Sequence, residues 1–234
     1  MSFDNTSYNF TEKLPGDWKL DLDLSDNDQQ TILFYYPKIF EYERGINFSN
    51  AIFDHRNFAE GYVKPYVKLE FWARGEIEPR ENKQIISYVA EAFQHLFDKP
   101  YGDVHVLAIE RTFWEKVTIL HALHHNFKKR DGMSRHYYDT FIIEQKGIAD
   151  VALQNPMLLE KVVKNKSIMF SDNKASYDTA KIGSLHLIPS TEIMTKLKQD
   201  YAAMQEMFFG EAPEFEKMMD VLGQLEMRIN TQHM

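Results

Sequence analysis

Apolar positions change period near residue 110. Over Gln30–Tyr36, QTILFYY is rich in β-formers and stops at Pro37, which predicts a strand. Over Tyr66–Ala73, YVKLEFWA alternates, with Val67, Leu69 and Phe71 on one face and Lys68, Glu70 and Trp72 on the other. That is the pattern of a half-buried strand, closed by Arg74-Gly75. VHVLAI, from Val104 to Ile109, predicts another short strand, and YVAEAFQHLF suits a short helix within 85–97. From Arg111 the spacing becomes helical: Phe113, Val117, Leu120, His124 and Phe127 share a face. KKRDGMS reads as a loop, with Ser134 as the N-cap of a second helix over 135–146 that Gly147 stops. NPMLLEKVVKNK and a loop-rich stretch to about Pro189 follow, then two long amphipathic helices near 191–209 and 214–230.

Residues 1–28 carry turn formers, Pro15-Gly16 and the acidic run DLDLSDND, and predict no regular structure. Residues 38–61 are aromatic and polar without a clear period. Strands first and helices second argue for an α+β fold rather than alternating βαβ units. The expected division is a sheet-bearing part over 1–108 and a helical C-terminal domain over 109–234.

Composition narrows the classes. Of 234 residues, 44% are hydrophobic and 26% charged, which suits a globular chain with a sizeable core. No cysteine is present, so disulfides and thiolate metal sites are excluded. MSFDNTSYNF lacks the basic and apolar regions of a signal peptide, and no apolar run approaches a membrane span. A cytoplasmic protein with no membrane contact is the expectation. The net charge of −8 argues against coating nucleic acid with the whole surface, so RNA or nucleotide contact needs a local basic patch. Lys128, Lys129, Arg130 and Arg135 form one such run, and Lys161, Lys164 and Lys166 another.

Candidate chemistry is scattered: Glu70 on a strand, Lys116 on one helix, Arg135 and Asp139 on the next. Nucleotidyl transfer needs carboxylates for a divalent metal and cations for the moving phosphate. On spacing alone these residues read as solvated faces, since strand glutamates and helix lysines are common. Arg135 and Asp139 stand at i and i+4 and share a helical face. Three other features have plain readings. His121 and His125 at i and i+4, with His124 and His136 near, have metal-like spacing but no HExxH glutamate, so packed or surface histidines are expected. Met204, Met207, Met218, Met219 and Met227 at helical spacing read as core, with a partner groove as the alternative. Asp21-Leu22-Asp23 has the Asp-x-Asp form of a metal pair but no Gly-rich turn beside it, so it reads as an acidic surface loop.

The strings VKLEFWARGEIEP, ISYVAEAF, LAIERTFWEKVTILHALHH, SRHYYDTFII, KIGSLHLIPS and DYAAMQEMFFGEAPEF follow one another along the chain. In that order they resemble the AbiEii-type nucleotidyltransferases, toxins of bacterial abortive-infection toxin–antitoxin pairs. The resemblance spans about Thr31 to Asn230. It implies a partial nucleotidyltransferase-like mixed sheet followed by a helical domain, in the polymerase-β nucleotidyltransferase superfamily. It also implies phage defence, transfer of a nucleotide from an NTP to an acceptor such as the end of a tRNA, Mg²⁺ as cofactor and a cognate antitoxin protein as partner. Glu70 in VKLEF matches the third metal carboxylate. Lys116 in FWEK matches the lysine that meets nucleotide phosphates, with Arg135 beside it. Asp139 in RHYYD matches the late aspartate, which orients Lys116 or acts as base on the acceptor hydroxyl. No Gly-Gly-Ser/Thr turn occurs in these residues. The chain by itself is therefore expected to be inactive or incomplete, and a non-catalytic helical interaction module or truncated remnant is the competing reading.

Overall fold

The computed structural model describes residues 19–22, 31–35, 66–70, 76–126, 131–208 and 210–231. The fold is α+β, with two small antiparallel sheets and, among the described residues, seven α-helices in the C-terminal part. Two compact units divide it, Met1–Ala73 and Arg74–Met234.

The first unit carries a three-stranded sheet in the order β1 (Lys19–Leu22), β2 (Thr31–Tyr35), β3 (Tyr66–Glu70). β2 pairs antiparallel with both neighbours, with Asp21 opposite Leu33 and Leu33 opposite Lys68. The expected strands at QTILFYY and YVKLE are present. β1 corrects the expectation of an unstructured lead. KLDL alternates apolar and polar residues, and its backbone groups are taken up by the edge of β2. Trp72 and the expected strand end at Arg74-Gly75 lie outside the described residues.

The second unit opens with a two-stranded ribbon, β4 (Arg80–Ile86) and β5 (Tyr101–Leu107), pairing Arg80 with Leu107 and Ile86 with Tyr101. α1 (Tyr88–Ala92) and a short 3-10 turn at Gln94–Leu96 connect them. β5 matches the expectation, whereas β4 was not expected. Its sequence, RENKQII, is exposed at every position but Glu81, so no buried face imposes an alternation that a sequence pattern can report.

α2 (Ile109–His125) is the hub. Phe113, Trp114, Val117 and Leu120 are fully buried. They pack against α3 (Ser134–Gln145), α4 (Ile148–Leu153) and α5 (Pro156–Met169). The Trp114 indole donates to the Ala152 carbonyl at 3.3 Å, so the largest core side chain leaves no polar atom unmet. Gly147, at φ 70°, breaks the chain between α3 and α4 in the left-handed region that glycine tolerates. α6 (Thr191–Ala203) and α7 (Phe215–Thr231) close the unit against α3. Met204 and Met218 are core, while Met207 and Met227 are exposed.

The N-terminus of α3 corrects the expected cap. Ser134 is the first helical residue rather than the cap, and its side chain points to Met204 Sδ at 3.7 Å. The cap comes from α6. Buried Asp200 accepts from Gly132 N at 2.7 Å and Ser134 N at 2.8 Å. A carboxylate on two orphan donors at a helix N-terminus is favourable on both counts, hydrogen bonding and dipole.

Candidate functional site

α2 and α3 cross so that Lys116 and Asp139 meet. Lys116 Nζ donates to Asp139 Oδ2 at 2.6 Å and to His136 Nδ1 at 3.3 Å. An ammonium only donates, so Nδ1 of His136 is the acceptor and its proton sits on Nε2. Burial, then the charges of Lys116 and Arg135, push the His136 pKa down to about 4, so the ring is neutral near pH 7. Two of the three Lys116 protons are thus committed, and one remains for a ligand oxygen.

The pair stands in a positive neighbourhood. Arg111, one turn before Glu115 on α2, is fully buried. It donates to Glu78 O at 2.6 Å, Glu76 at 3.0 Å and Glu115 at 3.2 Å, and so ties α2 to the segment entering β4. Its Nη2 is buried with no hydrogen-bond partner among the described residues. Lys166 on α5 is close enough to feel Glu115, Arg111 and Lys116; burial, the largest cause, moves its pKa down. Arg135 is exposed at the start of α3. Cations with spare donors, on helices locked by packing, can receive a phosphate or another oxyanion.

The expected residues fall into two groups. Lys116 and Asp139 touch, and Arg135 begins the same helix as Asp139. Glu70 ends β3 in the other compact unit, where it is exposed and ion-paired with Lys68 at 2.8 Å. Asp21 belongs to a strand rather than a surface loop, and Asp23 lies outside the described residues. All of β2 separates the strand of Asp21 from that of Glu70, so the two carboxylates do not stand on neighbouring strands. Glu70 fits Mg²⁺ as one hard oxygen ligand, but the described carboxylates around it do not make up a two-ion site. Of the two expected basic runs, residues 128–130 lie outside the described residues, and Lys166 joins the Lys116 neighbourhood. Sequence reasoning missed Arg111, and it gave His136 as a packed or surface histidine without its place beside Lys116. The signals were an arginine four residues before Glu115 on an apolar helix, and a histidine three before Asp139.

The family described as nucleotidyl transferase AbiEii toxin, type IV toxin–antitoxin system, matches residues 7–221. The chain belongs to the AbiEii nucleotidyltransferase toxin family. No curated protein and no solved structure matches it. Membership in an AbiEii family of type IV toxin–antitoxin systems implies an antitoxin partner. Among the described residues no helix is long and apolar enough to cross a membrane.

Proposed function

We propose that the helical unit of this AbiEii-family chain is the phosphate-holding half of a nucleotidyltransferase-type toxin. Lys116 binds the phosphates of an NTP, and Arg135 adds a second cation. Asp139 holds the Lys116 ammonium in place, and the end of a tRNA is the acceptor we favour. The observation that carries the reading is the 2.6 Å Lys116–Asp139 pair bridging α2 and α3. A half-exposed ion pair contributes little to stability. Its effect is to fix one ammonium in one direction while a proton of that ammonium stays free.

Transfer itself requires an acceptor oxygen to attack the α-phosphorus as pyrophosphate leaves. The chain's own contribution is to bind and orient the phosphates and to neutralise charge on them. Mg²⁺, when bound, would polarise phosphate oxygens, and the AbiEii resemblance gives Glu70 as a carboxylate for it.

The test is binding of a labelled NTP by the purified chain. Wild type should bind weakly, and more weakly as salt rises. Lys116→Met should bind at least about tenfold less, as expected for loss of a charge-assisted contact to phosphate. Asp139→Asn should weaken binding less than Lys116→Met. Equal binding by wild type and Lys116→Met overturns the assignment.

A further inference from the structure

A second cluster lies at the far end of α2, about 12 Å along the helix from Lys116 at the usual rise per residue. His121, His124 and His125 follow one another at i, i+3 and i+4. A fourth histidine, His186, comes to them from the segment between the short turn at Tyr177–Thr179 and α6. His124 and His186 stack at 4.2 Å between ring centroids, and His125 stands edge-on to both, at 4.9 Å from His124 and 5.3 Å from His186.

The His186 segment is held by its backbone. Leu185 and Leu187 are fully buried on either side of His186. Asn230 on α7 accepts from Gly183 N and Leu185 N, both at 3.0 Å, and donates to Leu185 O at 2.9 Å. Glu226, one turn earlier, accepts from Leu187 N at 2.5 Å and Ile188 N at 3.1 Å. His186 therefore projects from a fixed strip of chain.

The hydrogen bonds sort the four rings. His121 Nδ1 accepts from His186 N at 3.1 Å, so its proton is on Nε2, which donates to Ser176 O at 3.0 Å. Both its nitrogens are taken, and it serves to anchor the segment. His124 Nδ1 lies 2.7 Å from Ile188 O; a carbonyl only accepts, so the ring donates there and its Nε2 carries a bare lone pair. His125 Nε2 is buried with no hydrogen-bond partner among the described residues. His124, His125 and His186 each offer one ligand atom, and these atoms all lie within 4.8 Å of one another.

We propose that His124, His125 and His186 bind one divalent transition-metal ion of the zinc class, in a three-imidazole site with one position left for water or another ligand. Nothing in this inference rests on nucleotidyl transfer. Imidazole nitrogen suits zinc, copper and nickel, and a chain without cysteine has no thiolate to compete. Zn–N bonds of about 2.0–2.1 Å place tetrahedral ligands roughly 3.3 Å apart. The widest pair of nitrogens must therefore close by up to about 1.5 Å, with His186 tilting out of its stack on His124. The closure is asked of the side chains, since Asn230 and Glu226 hold the backbone of the strip. The His124 Nδ1–H bond to a backbone carbonyl is the arrangement that fixes the tautomer and aim of a ligating histidine. Asp178 acts electrostatically on His125, and Glu192 feels His124, so two carboxylates lie near enough to offset a double positive charge. Binding would fasten the C-terminal end of α2 to the strip ahead of α6.

The test uses the full chain stripped with a chelator, then titrated with Zn²⁺ in competition with a chromophoric chelator. Wild type should take up one equivalent, and Co²⁺ in its place should give the visible bands of a four-coordinate nitrogen site. His125→Gln and His186→Gln should each weaken Zn²⁺ at least about tenfold, while His105→Gln on β5, outside the cluster, should not. Zn²⁺ should raise the melting temperature of wild type and not of the two cluster variants. If His186→Gln folds poorly, partly exposed His125→Gln and the Co²⁺ spectrum decide. No stoichiometric uptake, an octahedral Co²⁺ spectrum, or uptake unchanged in His125→Gln overturns the proposal.

Discussion

Replacing Asp200 with alanine should destabilise the helical unit by about 3 kcal/mol. The carboxylate is only 6% exposed and sits on Gly132 N and Ser134 N at the start of α3. Truncation leaves two backbone donors without an acceptor in a place where water has little access, at a cost of about 1–3 kcal/mol. It also removes a partly buried negative charge from the positive end of the α3 dipole, which adds about 1–2 kcal/mol. Relief from burying a carboxylate offsets part of this. Lys196 contributes little to the balance, since its own ion pair runs to Asp131 at 2.7 Å. Asp200→Asn keeps the shape and one acceptor and loses the charge, so it should cost about half as much. The assay is urea unfolding followed by far-ultraviolet circular dichroism at 222 nm, which reports this unit because all seven described α-helices lie in it. In a thermal scan the alanine variant should melt about 6–12 °C lower, at about 2–4 °C per kcal/mol for a unit of this size. An unfolding free energy within about 0.5 kcal/mol of wild type would refute the reasoning, because it would mean that the two N–H groups are satisfied without Asp200.

Leu120→Ala should cost about 2–5 kcal/mol, since the side chain is fully buried at the centre of α2; a loss below about 0.5 kcal/mol by denaturant melt would show that the helix face is wrongly placed. His136 is held neutral with its pKa near 4, whereas the unfolded chain takes up that proton near the ordinary 6.5. Its contribution to stability is thus fully present above about pH 6.5 and is lost as pH falls toward 4. His136→Asn should flatten the wild-type slope of stability against pH in that window, and an unchanged slope would contradict a neutral His136. The purified chain with Mg²⁺ and labelled NTP should leave tRNA unlabelled, because the carboxylates around Glu70 among the described residues do not make up a two-ion site. Strong labelling abolished by Asp21→Ala or Asp23→Ala would make those two aspartates the missing metal ligands.

Much of the architecture was legible in the sequence, because periodicity is written wherever one face is buried and the other wet. QTILFYY was legible by its β-formers and YVKLEF by its alternation, although Leu69 on the expected buried face is exposed, and the stretches from Arg111, over 135–146 and near 191–209 and 214–230 showed helical period, the third ending as an α-helix at Ala203. The strings around Lys116 and Asp139 carried the family and, with it, the pair that α2 and α3 bring together. Other features needed the fold. β4 is wet on both faces, so its pairing with β5 is a backbone matter that no pattern announces. Asp200 caps a helix that begins 66 residues earlier, and His186 stacks on a ring 62 residues before it. Nothing in the spacing at Arg111 announced its burial, which depends on Glu76 and the Glu78 carbonyl coming round to meet it. The sequence by itself determined strands β2, β3 and β5, the long helices and the family they compose, since those follow from local spacing and from strings of neighbouring residues. Only the tertiary structure decided which charges are paired, which donors are left free and which histidines converge, because those are long-range contacts fixed by how the helices pack.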